Sequence, residues 1–241
     1  MRATVCLPTY NERENLERMV RALGEHDVRV LVIDDNSPDG TGEIADRLTA
    51  ELDWVDVLHR ARKEGLGPAY LAGFAHALAH GAGAVVEMDC DFSHDPAAVP
   101  ALLGALAGGA DLALGSRYVP GGRVENWSAW RRFVSLAGCR YAQLVLRAPV
   151  RDLTGGFKAF RAEALHAIDY RSARAKGYAF QVELTYRALR AGLRVTELPI
   201  VFHERREGDS KMSRAIALEA AWRVPALRLQ FRGRGADVQG R

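Results

Sequence analysis

The sequence predicts an α/β fold: a mainly parallel central sheet flanked by helices. Three observations carry this. Short apolar, β-branched runs alternate with helical stretches from Ala3 to Leu114, the pattern of parallel strands joined by right-handed crossovers. Clusters of polar residues close four of these runs, and in a parallel sheet all four ends lie on one edge, where ligands of such sheets bind. A chain of 241 residues can bury one substantial core, so one domain with an appended element is expected rather than two full domains.

The elements follow in order. Ala3 to Leu7 is an apolar strand, and Asn11 opens a helical pattern through Leu16, Met19, Val20 and Leu23 that Gly24 ends. Val28 to Ile33 is a second strand, followed by polar turn residues and a helix near Gly42 to Leu52. Val55 to Leu58 is a third strand, with a helix from Gly67. Residues 67–86 carry no Lys, Arg, Asp or Glu, but Gly81-Ala82-Gly83 breaks the stretch, so it reads as a buried helix and a strand rather than a membrane span. Ala84 to Met88 is the fourth strand, and Pro96 suits the first turn of a helix to about Leu106. Leu112 to Leu114 is the fifth. Beyond Gly115 the alternation loosens into a glycine-rich loop (Val119 to Arg123), a helix (Trp130 to Leu146), a Gly155-Gly156 turn, a helix (Ala179 to Ala191) and a strand (Val195 to Phe202). Residues 1–213 thus form one domain, with halves at 1–118 and 119–213, followed by a segment at 214–241.

Composition is that of an ordinary globular protein, 48% hydrophobic and 26% charged, and a net charge of +3 is too small to argue for nucleic acid. Cys6, Cys90 and Cys139 are odd in number and far apart, which fits neither a disulfide framework nor a metal knot. A reducing compartment and a cytoplasmic location are expected. No signal peptide is visible, since the first strand begins almost at Met1.

The most informative string is Asp89-Cys90-Asp91, where the fourth strand stops and the loop Phe92-Ser93-His94-Asp95-Pro96 begins. Two carboxylates at the end of a buried strand are costly to desolvate unpaired. A divalent cation keeps them ionised, and hard oxygen ligands suit Mg²⁺ or Mn²⁺. The other strand ends supply Tyr10, a ring for a base, Glu12 and Asp35, acceptors for base or ribose donors, and Arg117. That kit suits a nucleoside diphosphate held through its metal. Neither the Gly-x-x-x-x-Gly-Lys phosphate loop nor the glycine-rich dinucleotide fingerprint is present.

These strings resemble a known family. Pro8-Thr9-Tyr10-Asn11-Glu12, the segment Asp34 to Thr41 and the Asp-x-Asp look like the inverting glycosyltransferases of family 2, which have the GT-A (Rossmann-like) fold. Gly115-Ser116-Arg117-Tyr118, Glu125-Asn126-Trp127, the segment Arg151 to Lys158 and Gly208-Asp209-Ser210-Lys211-Met212-Ser213 are similar to polyprenol-phosphate (dolichol-phosphate) mannose synthases. The resemblance implies transfer of mannose from GDP-mannose to a polyprenyl monophosphate. It implies that Pro8, Tyr10, Glu12, Ile33 and Asp35 border the guanosine. Asp89, Cys90 (through its backbone) and Asp91 would meet the diphosphate and metal, and Arg117, Arg205 and Lys211 would hold phosphates. Archaeal members carry a glutamine as third metal ligand where this chain has Ser93, a weaker one.

The chemistry asks for cations where charge builds on the departing diphosphate. Arg205, Arg206 and Lys211 around Gly208 form a basic loop suited to closing over it. Lys211→Ala should therefore lower turnover more than donor affinity; a collapse in affinity at unchanged turnover would make Lys211 a uniform binding residue. An acceptor phosphate is already anionic at neutral pH, so no general base is required. Glu183 is the candidate if one exists, though a helical Glu is ordinarily structural. Arg131 or Arg132 would serve the acceptor phosphate, or would be an ordinary solvated pair. The C-terminal segment mixes Trp222, Leu227, Leu229 and Phe231 with several arginines, as an interfacial helix facing anionic headgroups does. Pro225 interrupts the pattern, and a terminal helix packed on the domain fits equally. Peripheral contact with the cytoplasmic face of a membrane, or a separate membrane-anchoring partner, is expected. The rival readings are a polyprenyl-phosphate transferase using another donor such as UDP-glucose, and a catalytically silent nucleotide-sugar-binding protein.

Overall fold

The computed structural model describes residues 1–175, 177–204 and 214–231. Seven strands form one sheet in the order β3-β2-β1-β4-β7-β5-β8. They are β1 (Ala3–Thr9), β2 (Arg29–Asp34), β3 (Val55–His59), β4 (Ala84–Glu87), β5 (Leu112–Ser116), β7 (Lys158–Arg161) and β8 (Val195–Pro199). A two-stranded ribbon pairs β6 (Arg123–Val124) with β9 (Val201–Phe202). The helices are α1 (Leu16–Leu23), α2 (Thr41–Glu51), α3 (Leu66–Ala79), α4 (Val99–Ala107), α5 (Ala129–Leu146), α6 (Ala162–Ala167), α7 (Gly177–Arg190) and α8 (Arg214–Gln230).

The sheet is covered on both faces, which explains why its strands read as apolar runs instead of clean alternation. One core sets Val5, Leu7, Val30, Val32, Val86 and Met88 against Leu16, Met19, Val20 and Leu23 of α1 and Leu102 and Leu106 of α4. The four apolar residues of α1 follow the helical repeat of one buried face, and burying each is worth about 1.5–3 kcal/mol. The opposite core joins Leu31, Ile33, Val85 and Phe160 to Tyr70 and Phe74 of α3 and Phe180 and Leu184 of α7. A third cluster holds α5, α7 and α8 together through Ala142, Leu146, Tyr186, Val224 and Leu227. α8 is therefore packed on the domain, while its Trp222 and Leu229 stay exposed.

Three details differ from the expected elements. α1 begins at Leu16 rather than at Asn11. Asn11 takes φ 59°, a left-handed conformation that Asn tolerates and a helix does not, and the Glu12 carbonyl then accepts from the Asn15 and Leu16 amides. The run from Val195 to Phe202 splits at Ile200, with β8 staying on β5 and β9 leaving to pair β6. The unanticipated strand is β7, which runs antiparallel between β4 and β5. Its four residues, Lys-Ala-Phe-Arg, carry a charge at each end and so lack a strand signature. β1, β2 and β4 are parallel, and two antiparallel steps through β7 restore β5 to the same direction. The carboxyl ends of β1, β2, β4 and β5 consequently share one edge.

Candidate active site

That edge bears a cavity lined by Pro8, Thr9, Tyr10, Glu12, Asp35, Lys63, Gly65, Leu66, Ala69, Asp89, Cys90 and Asp91. Seven of these twelve are the residues that the sequence places at a donor site. The turn after β1 is tied to the turn after β2. The Thr41 hydroxyl accepts from the Glu12 amide at 3.0 Å, and Asp39 accepts from the Thr41 hydroxyl and amide at 2.6 and 3.0 Å. Asp34 closes the second turn by accepting from the Ser37 hydroxyl at 2.6 Å, an Asx-type turn. Asp35 is buried, which pushes its carboxyl up; the guanidinium of Arg60, bonded to it, pulls the other way. The Lys63 ammonium lies 3.7 Å from the centroid of the Tyr10 ring. Ile33, expected beside a base, does not line the cavity. It is fully buried against α3, where a Cβ on Gly73 would meet its Cδ1 at 2.3 Å, so a larger residue at Gly73 would have to displace the Ile33 side chain.

The carboxylate pair sits at a deliberate kink. Phe92 takes φ 58°, which costs a bulky residue on the order of 1 kcal/mol and gathers at functional turns. Asp91 accepts from the Ser93 amide at 3.0 Å. The Ser93 hydroxyl is buried and makes no hydrogen bond among the described residues. Cys90 borders the cavity and is buried in the core shared with α1 and α4, and that burial raises its thiol well above its ordinary value. His94 is buried, stacked on Phe157 at 4.9 Å, with Nε2 4.0 Å from Asp89 Oδ2. No group of three or more His, Cys, Asp or Glu able to hold a metal occurs among the described residues. The donor set is two carboxylates beside one orphaned hydroxyl. That fits a hard cation that arrives with a diphosphate and completes its shell with phosphate oxygens and water.

Beneath the pair lies a buried polar layer that sequence reasoning missed. Glu87 of β4 and Lys158 of β7 face each other in register, and both are fully buried. Burial pushes Glu87 up to about 7 and Lys158 down to about 8, while each charge opposes the other's shift. A charged residue inside an otherwise apolar strand, Glu87 in Ala-Val-Val-Glu, was the available signal.

A second cavity is lined by Arg117, Tyr118, Gly122, Arg123, Val124, Ala129, Arg132, Phe133 and Leu136. Gly122 is required there, since a Cβ would lie 2.4 Å from the Ser116 carbonyl oxygen. Arg117 is buried and held bidentately by Asp152, at 2.7 Å from Nε and 2.6 Å from Nη2, with the Thr154 hydroxyl 2.9 Å from Nη2. Burial favours the neutral carboxyl, but the charge and hydrogen bonds of Arg117 outweigh it and hold Asp152 below its ordinary value. Arg132 lines this cavity, whereas Arg131 is engaged by Glu204 at 2.7 Å and stacks over Trp127 at 4.2 Å. Glu183 accepts from Arg187 and from the amides of Arg174 and Ala175, which makes it a buried brace rather than a base. Arg205, Arg206 and Lys211 lie outside the described residues.

Comparison with known proteins gives the family. The profile of Glycosyl transferase family 2 matches residues 4–169. The chain belongs to that family. The polyprenol monophosphomannose synthase of Mycolicibacterium smegmatis is 49% identical over 227 residues, covering 92% of this chain and 85% of that protein. The undecaprenyl-phosphate mannosyltransferase of Micrococcus luteus is 47% identical over 239 residues, covering 98% and 97%. Among solved structures, a mannosyltransferase of Pyrobaculum calidifontis in complex with GDP-Man and Mn²⁺ superposes with a TM-score of 0.59 at 17% identity, over 98% of this chain and 76% of that one. The fold is the GT-A fold of this glycosyltransferase family, and the chain is a glycosyltransferase.

Proposed function

We propose that this family 2 enzyme transfers mannose from GDP-mannose to a polyprenyl monophosphate, releasing GDP and giving a β-linked mannosyl phospholipid. The observation that carries the reading is the near-full-length likeness, at 49% and 47% identity, to two enzymes named for mannosyl transfer to polyprenyl phosphates. The two cavities suit the two substrates. Tyr10, Glu12 and Asp35 would receive the nucleoside, and Asp89 and Asp91, with Ser93 at the margin, would hold Mg²⁺ or Mn²⁺. The cation would neutralise the diphosphate and the charge that grows as it leaves. Arg117, Arg205 and Lys211 would hold phosphates. Arg117 keeps Nη1 free of described hydrogen-bond partners after Asp152 and Thr154 take Nε and Nη2. The acceptor phosphate needs no base, in keeping with the bracing role of Glu183. Transfer from a panel of GDP-mannose, UDP-glucose and UDP-GlcNAc to a short polyprenyl phosphate tests the donor. GDP-mannose should be preferred by at least tenfold; preference for a UDP-sugar, or no transfer from any donor, would overturn the reading.

Arg132 is the arginine of its pair that the second cavity offers to the acceptor phosphate. Arg132→Ala should raise the KM for polyprenyl phosphate about tenfold, the worth of one charged hydrogen bond, and leave the KM for GDP-mannose within about twofold. Equal rises in both would show a general loss of structure.

Membrane contact belongs to α5 in this reading. Its outer face exposes Trp130, Phe133, Leu136 and Leu144, interspersed with exposed Arg132, Arg140 and Arg147. Trp and Leu beside Arg is the composition of a helix lying in a headgroup layer, and Phe133 and Leu136 continue into the second cavity. No helix among the described residues is long and apolar enough to cross a membrane. Trp130→Ser with Phe133→Ser should cut sedimentation with anionic vesicles and transfer to long-chain acceptors by about tenfold, sparing short soluble acceptors. Unchanged sedimentation would remove α5 from the contact.

A further inference from the structure

Glu87 and Lys158 are an expensive choice for the middle of a sheet. Both are fully buried, and burying charge without close pairing is costly. Among the described residues the Lys158 ammonium donates only to Gln181, at 2.8 Å to the backbone oxygen and also to the side-chain oxygen. Neither Glu87 oxygen has a hydrogen bond of normal geometry among the described residues. Apolar residues of similar volume would be at least as stable at such positions, so stability does not explain them.

Their place in the ladder does. Glu87 lies opposite Lys158 across the β4–β7 pairing, and β7 is the strand wedged antiparallel between β4 and β5. With only four residues, β7 has little side-chain pattern to specify its register. A slip of two residues would set Phe160 against the Glu87 carboxylate, and the buried charge would then lose its opposite. The register matters at the site because Phe157 adjoins Lys158. Phe157 carries the stacked ring of His94, and its carbonyl accepts from the Gly115 amide at 2.9 Å, two residues before Arg117.

We propose that Glu87 and Lys158 are positioning residues. Their opposed charges, anchored on α7 through Gln181, lock β7 in the one register that sets the donor-side carboxylates against the acceptor-side Arg117–Asp152 pair. The role rests on the mannosyltransferase reading for its kinetic consequence and not for its structural one. Buried polar groups that specify register at some cost in stability are the best-attested use of such pairs.

The test is the double variant Glu87→Met with Lys158→Met. Its thermal midpoint should equal or exceed that of the wild type. Amide exchange should quicken at least tenfold in residues 154–161 and stay unchanged in β1 and β2. Turnover should fall at least tenfold with the KM for GDP-mannose changed less than threefold. Wild-type exchange and turnover at an unchanged midpoint would overturn the proposal, as would a loss of turnover that merely tracks a lowered midpoint. If the double variant does not fold, Glu87→Gln decides. Faster exchange confined to residues 154–161 at the wild-type midpoint supports the role, and unaltered exchange overturns it. Should the wild type transfer no mannose at all, the functional reading falls, while the exchange pattern still judges the pair.

Discussion

Asp91→Ala should lower mannosyl transfer at least a thousandfold while the protein melts within about 4 °C of the wild type. Metal-assisted departure of a diphosphate is worth several kcal/mol, and each 1.36 kcal/mol is about tenfold in rate, so losing one of two protein ligands costs about that factor. The fold loses little. Asp91 gives up the hydrogen bond from the Ser93 amide at 3.0 Å, worth about 1 kcal/mol, or roughly 2–4 °C in a chain of this size. Asp89→Ala should behave alike, and excess chelator should reproduce the loss until Mg²⁺ or Mn²⁺ is restored. Steady-state rates with differential scanning fluorimetry check this. Activity within tenfold of wild type in Asp91→Ala, or undiminished in chelator, would contradict the role given to the pair.

Asp152→Asn has the largest expected effect on stability. The substitution leaves Arg117 buried with its charge uncompensated and turns an amide group toward a guanidinium that needs acceptors. Breaking one side of a buried pair costs about 3–5 kcal/mol, or roughly 6–20 °C in melting temperature. The pH dependence has a definite sign. Asp152 is held below its ordinary value of 3.8, so the folded state binds its proton less readily than the unfolded chain does. The stabilisation is complete above that value and is lost as pH falls through the lower folded value. The gap between wild type and variant should therefore be widest at neutral pH and shrink in acid. A midpoint within 2 °C of wild type at pH 7 would show that Arg117 has another counter-charge. Turnover should also fall, because Nη1 is no longer aimed by the bonds at Nε and Nη2.

The first half of the fold was legible because each strand there is an uninterrupted apolar run between turn residues. Asp89-Cys90-Asp91 was legible for the complementary reason: acids that end such a run have no packing role. What escaped notice was non-local. β7 is short and bounded by Lys158 and Arg161, and only its neighbours β4 and β5 make it a strand. The β3–α3 loop joined the donor cavity through Lys63 and Gly65, but nothing in Arg-Lys-Glu-Gly marks a binding wall until the chain has folded. Ile33 was placed by resemblance at the base, whereas the strand's pleat sends its side chain into the core beside Gly73. Arg117 was read as a phosphate ligand without the partner that aims it, because Asp152 is 35 residues away in sequence. Glu183 shows the reverse case: its helical setting suggested a structural part, and its bonds to Arg187 and two backbone amides supply one.

The central claim is that the acceptor phosphate displaces GDP directly, between a metal-bound diphosphate on Asp89 and Asp91 and the cations of the second cavity, with no enzyme nucleophile. The anomeric configuration of the product tests it most directly. Mannosyl phospholipid made from α-linked GDP-mannose and a short polyprenyl phosphate can be examined by its one-bond carbon–proton coupling at the anomeric centre. A β-linked product is predicted. An α-linked product, or a mannosyl group trapped on the protein, would contradict the account.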